Sequence, residues 1–252
     1  MGSNGIQPDM DELRQLLDED VDAPSAGTLP PMAFEEMFAQ LSEDLEIEEP
    51  TLRGRVRSMP TRARLGLGAA AGLFFGGASL AALGLRGDFA SLELPRLAAG
   101  SLIVLAVGGV AAALALRGAH KAPLGPAGRV AAVIALAIPF VSVVIPGFWE
   151  GMTVPREMAV MAILKCVALG SPIAVISGAV VLFMTRWTQT PRLRLALAGV
   201  AGGCVGFVAQ QLRCPGADPM HMLLGHAGLL IVGAFALVVG AFVYGMAAAR
   251  GR

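Results

Sequence analysis

From residue 65 to the C-terminus the chain is a succession of long apolar runs separated by short breaks of Arg, Pro and Gly. A helix needs roughly 20 predominantly apolar residues to cross a ~30 Å hydrocarbon core. Six runs qualify: 65–85, 97–116, 130–148, 158–184, 194–212 and 225–247. The connecting loops are only about ten residues long, which makes consecutive helices antiparallel neighbours. The pattern predicts an all-α fold, an integral membrane bundle of six transmembrane helices over residues 63–252. A short, partly helical cytoplasmic N-terminal tail over residues 1–62 precedes it.

Within the tail the periodicity changes from continuous to helical. Met10, Leu13, Leu16 and Leu17 recur at three- and four-residue spacing, predicting an amphipathic helix at about 9–20. Phe34, Met37, Phe38, Leu41 and Leu45 follow i, i+3, i+4, i+7, i+11, predicting a second at about 33–47. Glu35 and Glu36 suit the positive N-terminal end of that helix. Residues 21–31, ending in Pro30-Pro31, have linker composition. So short a segment makes a marginal core. Each helix therefore presents an apolar stripe flanked by carboxylates, the form used to dock into a partner's groove.

Charge sharpens this reading. The formal net charge is zero, yet residues 1–50 hold fourteen of the nineteen acidic residues and one basic residue, Arg14. Five arginines then follow between residues 53 and 64. An acidic tail excludes a signal peptide, which needs a basic start, and repels nucleic acid while favouring a basic protein partner. Around the spans, thirteen Lys and Arg lie on one side and four (Arg86, Arg96, Arg156 and Arg213) on the other. The positive-inside rule then places both termini in the cytoplasm of a multi-pass bacterial inner-membrane protein. The basic hinge reads as the anchor, with membrane lipids as its natural contact.

Gly68, Gly72 and Gly76 in the first span, and Gly199/Gly203 and Gly202/Gly206 in the fifth, are small residues at i, i+4 spacing. Such pairs permit close helix packing, within the bundle first and in a homodimer as the alternative. Pro139, Pro146 and Pro172 lie inside or near the ends of spans and predict kinks. The costly polar residues of the bundle gather towards one side: Lys165 and Cys166 in the fourth span, Cys204 in the fifth, Cys214 after it, and His221 and His226 at the entry to the sixth. Lys165 can snorkel along its own stem. The cysteines could pair if their Cα atoms come within about 7 Å, or simply pack as small apolar residues. His221 and His226 are five apart and do not share an α-helical face well; with no zinc-type spacing, neither a metal site nor a cofactor is expected. No nucleophile–base pair or phosphate loop is visible, so an enzyme is not expected.

The C-terminal half resembles the NrsF/CarR-type six-span membrane anti-sigma factor family. The resemblance is carried by Cys166-Val-Ala-Leu-Gly-Ser-Pro172, the basic loop ending in Pro191, Gly199-Val-Ala-Gly-Gly203, and Cys214-Pro215 followed by His221 and His226. It covers about 80 residues, and the six-span count with an N-terminal tail extends it along the chain. It implies a regulator that holds an extracytoplasmic-function sigma factor through its tail and releases it on an envelope or oxidative signal, light or singlet oxygen included. Leu13, Leu16, Leu17, Phe34, Met37, Phe38, Leu41 and Leu45 would be the apolar contacts, with Glu35, Glu36, Glu43 and Asp44 meeting basic residues of the partner. Cys166 and Cys214 match the family's shared cysteines and Cys204 is additional; Lys165, His221 and His226 complete the candidate sensing set. The tail lacks the His-and-Cys zinc motif of soluble anti-sigma domains. The rival readings are a small transporter or channel, which needs a polar path, and a membrane redox enzyme, which needs a cofactor.

Overall fold

The computed structural model describes residues 51–117, 125–145, 148–149, 151–185 and 192–250. The tail helices at 9–20 and 33–47, with the partner-binding residues assigned to them, lie outside the described residues, as does Pro146. A short helix α1 (Leu52–Ser58) leads into α2 (Thr61–Leu83), α3 (Leu94–Ala115), α4 (Pro126–Val144), α5 (Arg156–Phe183), α6 (Arg192–Gln211) and, after a first turn at Pro219–His221 and a π-helical segment at Met222–Ala227, α7 (Gly228–Arg250). Six of these are long and apolar enough to cross a membrane, the last counted from Pro219 to Tyr244. The chain is a multi-pass all-α membrane protein.

The predicted spans are present, each starting two to six residues earlier than the apolar run that announced it. The extra residues are largely polar or Pro: Pro95 in the first turn of α3, Pro126 at the start of α4, Arg192 at the start of α6. Proline costs nothing in a first turn because its missing N–H would be unpaired there anyway. Helices α4 and α5 run through Pro139 and Pro172. The Ser142 hydroxyl donates to the Pro139 carbonyl (2.8 Å) and the Ser171 hydroxyl to the Val167 carbonyl (2.6 Å).

Helix α6 is the centre of the bundle. Two-thirds of its span (67%) is buried, against 44% for α5 and 6% for α2. Its residues are correspondingly small, and its two glycine pairs serve two different neighbours. A Cβ on Gly199 or Gly203 would run into the backbone of α7 at Gly233 and Leu230. A Cβ on Gly202 would run into the Ala174 carbonyl of α5, and one on Gly206 would come within 3.1 Å of the Gly170 carbonyl. The fifth-span glycines thus serve packing inside the bundle. On α2, Gly72 and Gly76 face Val205 at 3.1 and 3.7 Å, with Gly68 towards Met184 at 3.7 Å. An apolar groove of about 670 Å³ remains between α2 and the surfaces of α3, α5 and α6.

One end of the bundle, the arginine end, is closed by the hinge. Val56 is buried with Leu116, Val181 and Leu195. Arg57 donates to the Thr185 carbonyl (2.7 Å) and Arg64 to the Met184 carbonyl (3.2 Å). These are carbonyls just past the C-terminus of α5, where cations are favoured by the helix dipole. Two of the five hinge arginines therefore also hold the bundle together.

The backbone contacts of α6 set a clear expectation. Gly203→Val, whose side chain would land on Leu230, should lower stability by about 2 kcal/mol or more. Gly77→Ala, with nothing within 4 Å of its Cβ, should change it by less than about 0.5 kcal/mol. Unfolding in mixed micelles, titrated with denaturing detergent, measures both.

Candidate metal and redox centre

At the opposite end, four of the polar side chains converge. Cys166, ten residues into α5, is buried at 5% exposure; His221 and His226 are both fully buried; Cys214 is half-buried. The thiol sulfurs and ring nitrogens of all four lie within 4.8 Å of one another. His221 Nε2 is the hub, 3.4 Å from Cys166 Sγ and 3.1 Å from Cys214 Sγ. The two imidazoles meet edge to face with centroids 5.2 Å apart.

The proximity of the histidines corrects the expectation that a five-residue spacing separates them. That expectation assumed 3.6 residues per turn. Residues Met222–Ala227 instead form a π-helical turn, whose i→i+5 hydrogen bonding brings residues five apart onto one face. Single π-turns inside α-helices are frequent at functional sites. The start of this helix is set by Asp218-Pro219: the Asp218 carboxylate accepts from the His221 backbone N–H (2.9 Å) and Pro219 occupies the first turn. His221 is thereby fixed by a cap and His226 by the π-turn.

Cys214 is delivered by the loop after α6. Its N–H and that of Arg213 both donate to the Gln210 carbonyl (2.7 and 3.0 Å), extending the helix by one turn before Pro215 ends it. Arg86, its side chain fully buried, grips this loop. Its backbone N–H donates to Leu212 O (3.1 Å) and its guanidinium to Pro215 O (3.3 Å). The same guanidinium makes a two-pronged pair with Asp88 (2.6 and 2.8 Å). Those hydrogen bonds hold the Asp88 carboxyl below its usual range. From the other side, Met152 N–H donates to Pro215 O (2.7 Å) and Ala217 N–H to Met152 O (3.0 Å).

Glycines make the room. A Cβ on Gly216 would sit 3.1 Å from His221 Nε2, and one on Gly225 would press on Cys166 Cβ at 3.3 Å. Gly151, at φ +159°, passes so close to the Pro215 carbonyl and Arg86 that no side chain fits there. Beneath the cluster, His226 packs edge-on against Phe207 (5.8 Å), and Phe207 against Trp149 (5.3 Å). Trp149 is admitted by Gly100, where a Cβ would lie 2.8 Å from its ring.

The other candidates fall outside. Cys204 is fully buried among Val104, Val107 and Phe207, with its Cβ 2.9 Å from where a Gly108 side chain would begin. Its surroundings are those of a small apolar residue. Lys165 is exposed on the flank of α5, consistent with a snorkelling side chain.

Chemically, the cluster holds two thiols and two imidazoles with little else to satisfy them. Both ring nitrogens of His226 and Nδ1 of His221 are buried with no hydrogen-bond partner outside the cluster. An unpartnered buried polar group costs about 1–3 kcal/mol, so three in one place call for a ligand or a chemical role. Hydrogen bonding from Cys166 holds the Cys214 thiol well below its ordinary range, against burial, with His221 contributing. A lowered thiol pKa favours the thiolate, which is both the nucleophile and the metal ligand. The four side chains are also the kind of donor set that soft or borderline cations take, and the two thiol sulfurs lie within 4.8 Å of each other. Sequence spacing alone could have flagged Cys214, His221 and His226 as three donors within thirteen residues; Cys166, on another helix, carries no such signal.

No protein-family model, curated protein or solved structure matches this chain. The anti-sigma resemblance thus rests on its own residues.

Thiol accessibility offers a direct check of this arrangement. In the reduced, chelator-treated protein in native membranes, an alkylating reagent should modify Cys214 first and leave Cys204 untouched until the protein is denatured. Peptide mass spectrometry over a time course reads the order.

Proposed function

We propose that the protein is a membrane-bound anti-sigma factor. Its acidic tail sequesters an extracytoplasmic-function sigma factor in the cytoplasm, and the Cys/His cluster at the far end of the bundle receives the signal for release. The observation that carries this reading is the pairing of a built, partly exposed thiol–imidazole centre at one end of a six-span bundle with an acidic, amphipathic segment preceding its first span. Sigma factors present basic surfaces to polymerase and DNA. A tail with carboxylates flanking Phe34, Met37, Phe38, Leu41 and Leu45 complements such a surface, the charges speeding encounter and the apolar residues supplying affinity. The count of Lys and Arg around the spans supports an inner-membrane location with both termini cytoplasmic.

A regulatory role also suits the bundle better than transport does. The groove beside α2 is lined almost wholly by Gly, Ala, Leu and Val, a surface for acyl chains rather than a path for ions or polar solutes. In this reading the protein is not an enzyme, and its cysteines act by changing state.

Affinity purification of the full-length protein from native membranes tests the proposal. Wild type should retain one sigma factor, identified by mass spectrometry, and the doubly substituted Phe38→Asp, Leu41→Asp protein should retain none. Co-purification of no sigma factor, with the protein intact in the membrane, overturns the reading.

A further inference from the structure

We propose that Cys166, Cys214, His221 and His226 form a four-coordinate site for one divalent d10 cation of the Zn2+ class. The donor set is the first argument. Two thiols and two imidazoles are soft and borderline ligands, which select against Mg2+ and Ca2+, whose ligands are oxygens. Two cysteines with two histidines is also a composition of closed, tetrahedral zinc sites.

Geometry is the second. Metal–ligand lengths of about 2.3 Å to sulfur and about 2.0 Å to nitrogen place sulfur and nitrogen about 3.5 Å apart across a tetrahedral angle. His221 Nε2 stands 3.4 Å from Cys166 Sγ and 3.1 Å from Cys214 Sγ. With every donor atom within 4.8 Å of the others, small rotations of the side chains suffice to centre an ion. His226 supplies the fourth donor, its ring nitrogens having no partner outside the cluster.

Charge is the third. Three of the four ligands are buried, and a buried net charge is costly. Two thiolates, two neutral imidazoles and a divalent cation sum to zero, whereas a monovalent Cu+ would leave one negative charge. Binding forms two metal–sulfur and two metal–nitrogen bonds and releases the thiol protons to solvent; no electron is transferred.

The scaffold is consistent with an assembled site. The ligands come from α5, from the loop gripped by Arg86, and from a helix start that departs from α-geometry only where His221 and His226 must meet. The site is independent of what the tail holds, so its test is separate from that of the anti-sigma reading.

Full-length protein in detergent, reduced and kept anaerobic, is stripped with chelator and reloaded with Zn2+ alone. One Zn2+ per chain by elemental analysis is expected, as are tetrahedral d–d and thiolate charge-transfer bands when Co2+ is loaded instead. Cys166→Ser and His226→Gln should each weaken Zn2+ binding by about tenfold or more, and Cys204→Ser should leave it unchanged. Because ligand variants can misfold, a second readout uses the unaltered chain: Zn2+ should protect Cys214 from alkylation and chelator should restore its reactivity. Substoichiometric Zn2+, equal binding by the Cys166→Ser variant, or Cu+ binding without any Co2+ spectrum overturns the assignment. So does alkylation of Cys214 that ignores Zn2+, or a Cys166–Cys214 disulfide in its place.

Discussion

Helices in lipid gain little by hiding apolar surface from one another, because the acyl chains are as apolar as the side chains they would replace. What can hold such a bundle is close packing, and in this protein it depends on the backbone of α6 touching the backbones on either side. Gly199 and Gly203 let α7 in; Gly202 and Gly206 let α5 in. At that separation dispersion contacts multiply along the helices, and each is small but they are many. With glycine and alanine on these contact faces, α6 reads as the least hydrophobic of the central spans while being the most buried.

The Cys/His centre is a consequence of that packing. With α5 and α7 drawn onto the two sides of α6, the third turn of α5 comes level with the start of the last span. Cys166 then stands beside His221 although 55 residues separate them. The loop carrying Cys214 closes the arrangement because Arg86 and Met152 bind its carbonyls from two other connections. Five chain segments thus meet at a place where lipid would otherwise leave polar groups unsatisfied. The buried guanidinium is tolerable there because a carboxylate and a carbonyl occupy its donors.

Much of this architecture was legible in the residues, and for identifiable reasons. Apolar runs of span length define membrane helices because bilayer thickness is a fixed ruler, so the six spans follow from composition alone. The i, i+4 glycines announced tight packing, although nothing in one helix's sequence says which neighbour each pair will meet. The helices start a few residues before the apolar runs because Arg192, Pro126 and Pro219 are helical without being apolar. The polar cluster was legible in part: Cys166, Cys214, His221 and His226 stood out as polar residues near one side of the membrane. Their convergence did not, because the π-turn departs from the 3.6-residue periodicity that sets the faces of an α-helix. Met222-Leu-Leu-Gly-His-Ala227 has no residue that signals such a turn. The tail, whose pattern speaks most directly of a partner, lies outside the described residues.

The glycine contacts also decide what can move. A helix whose backbone is in contact on two sides can neither roll nor slide without collision, so α6 acts as a stator to which α5 and α7 are keyed. Helix α2 is different: only 6% of its span is buried, and a groove separates much of it from its neighbours. Of the six spans it is the least buried, and it is also the span that follows the tail in the chain. Of all the spans, the first therefore turns the largest share of its surface towards lipid.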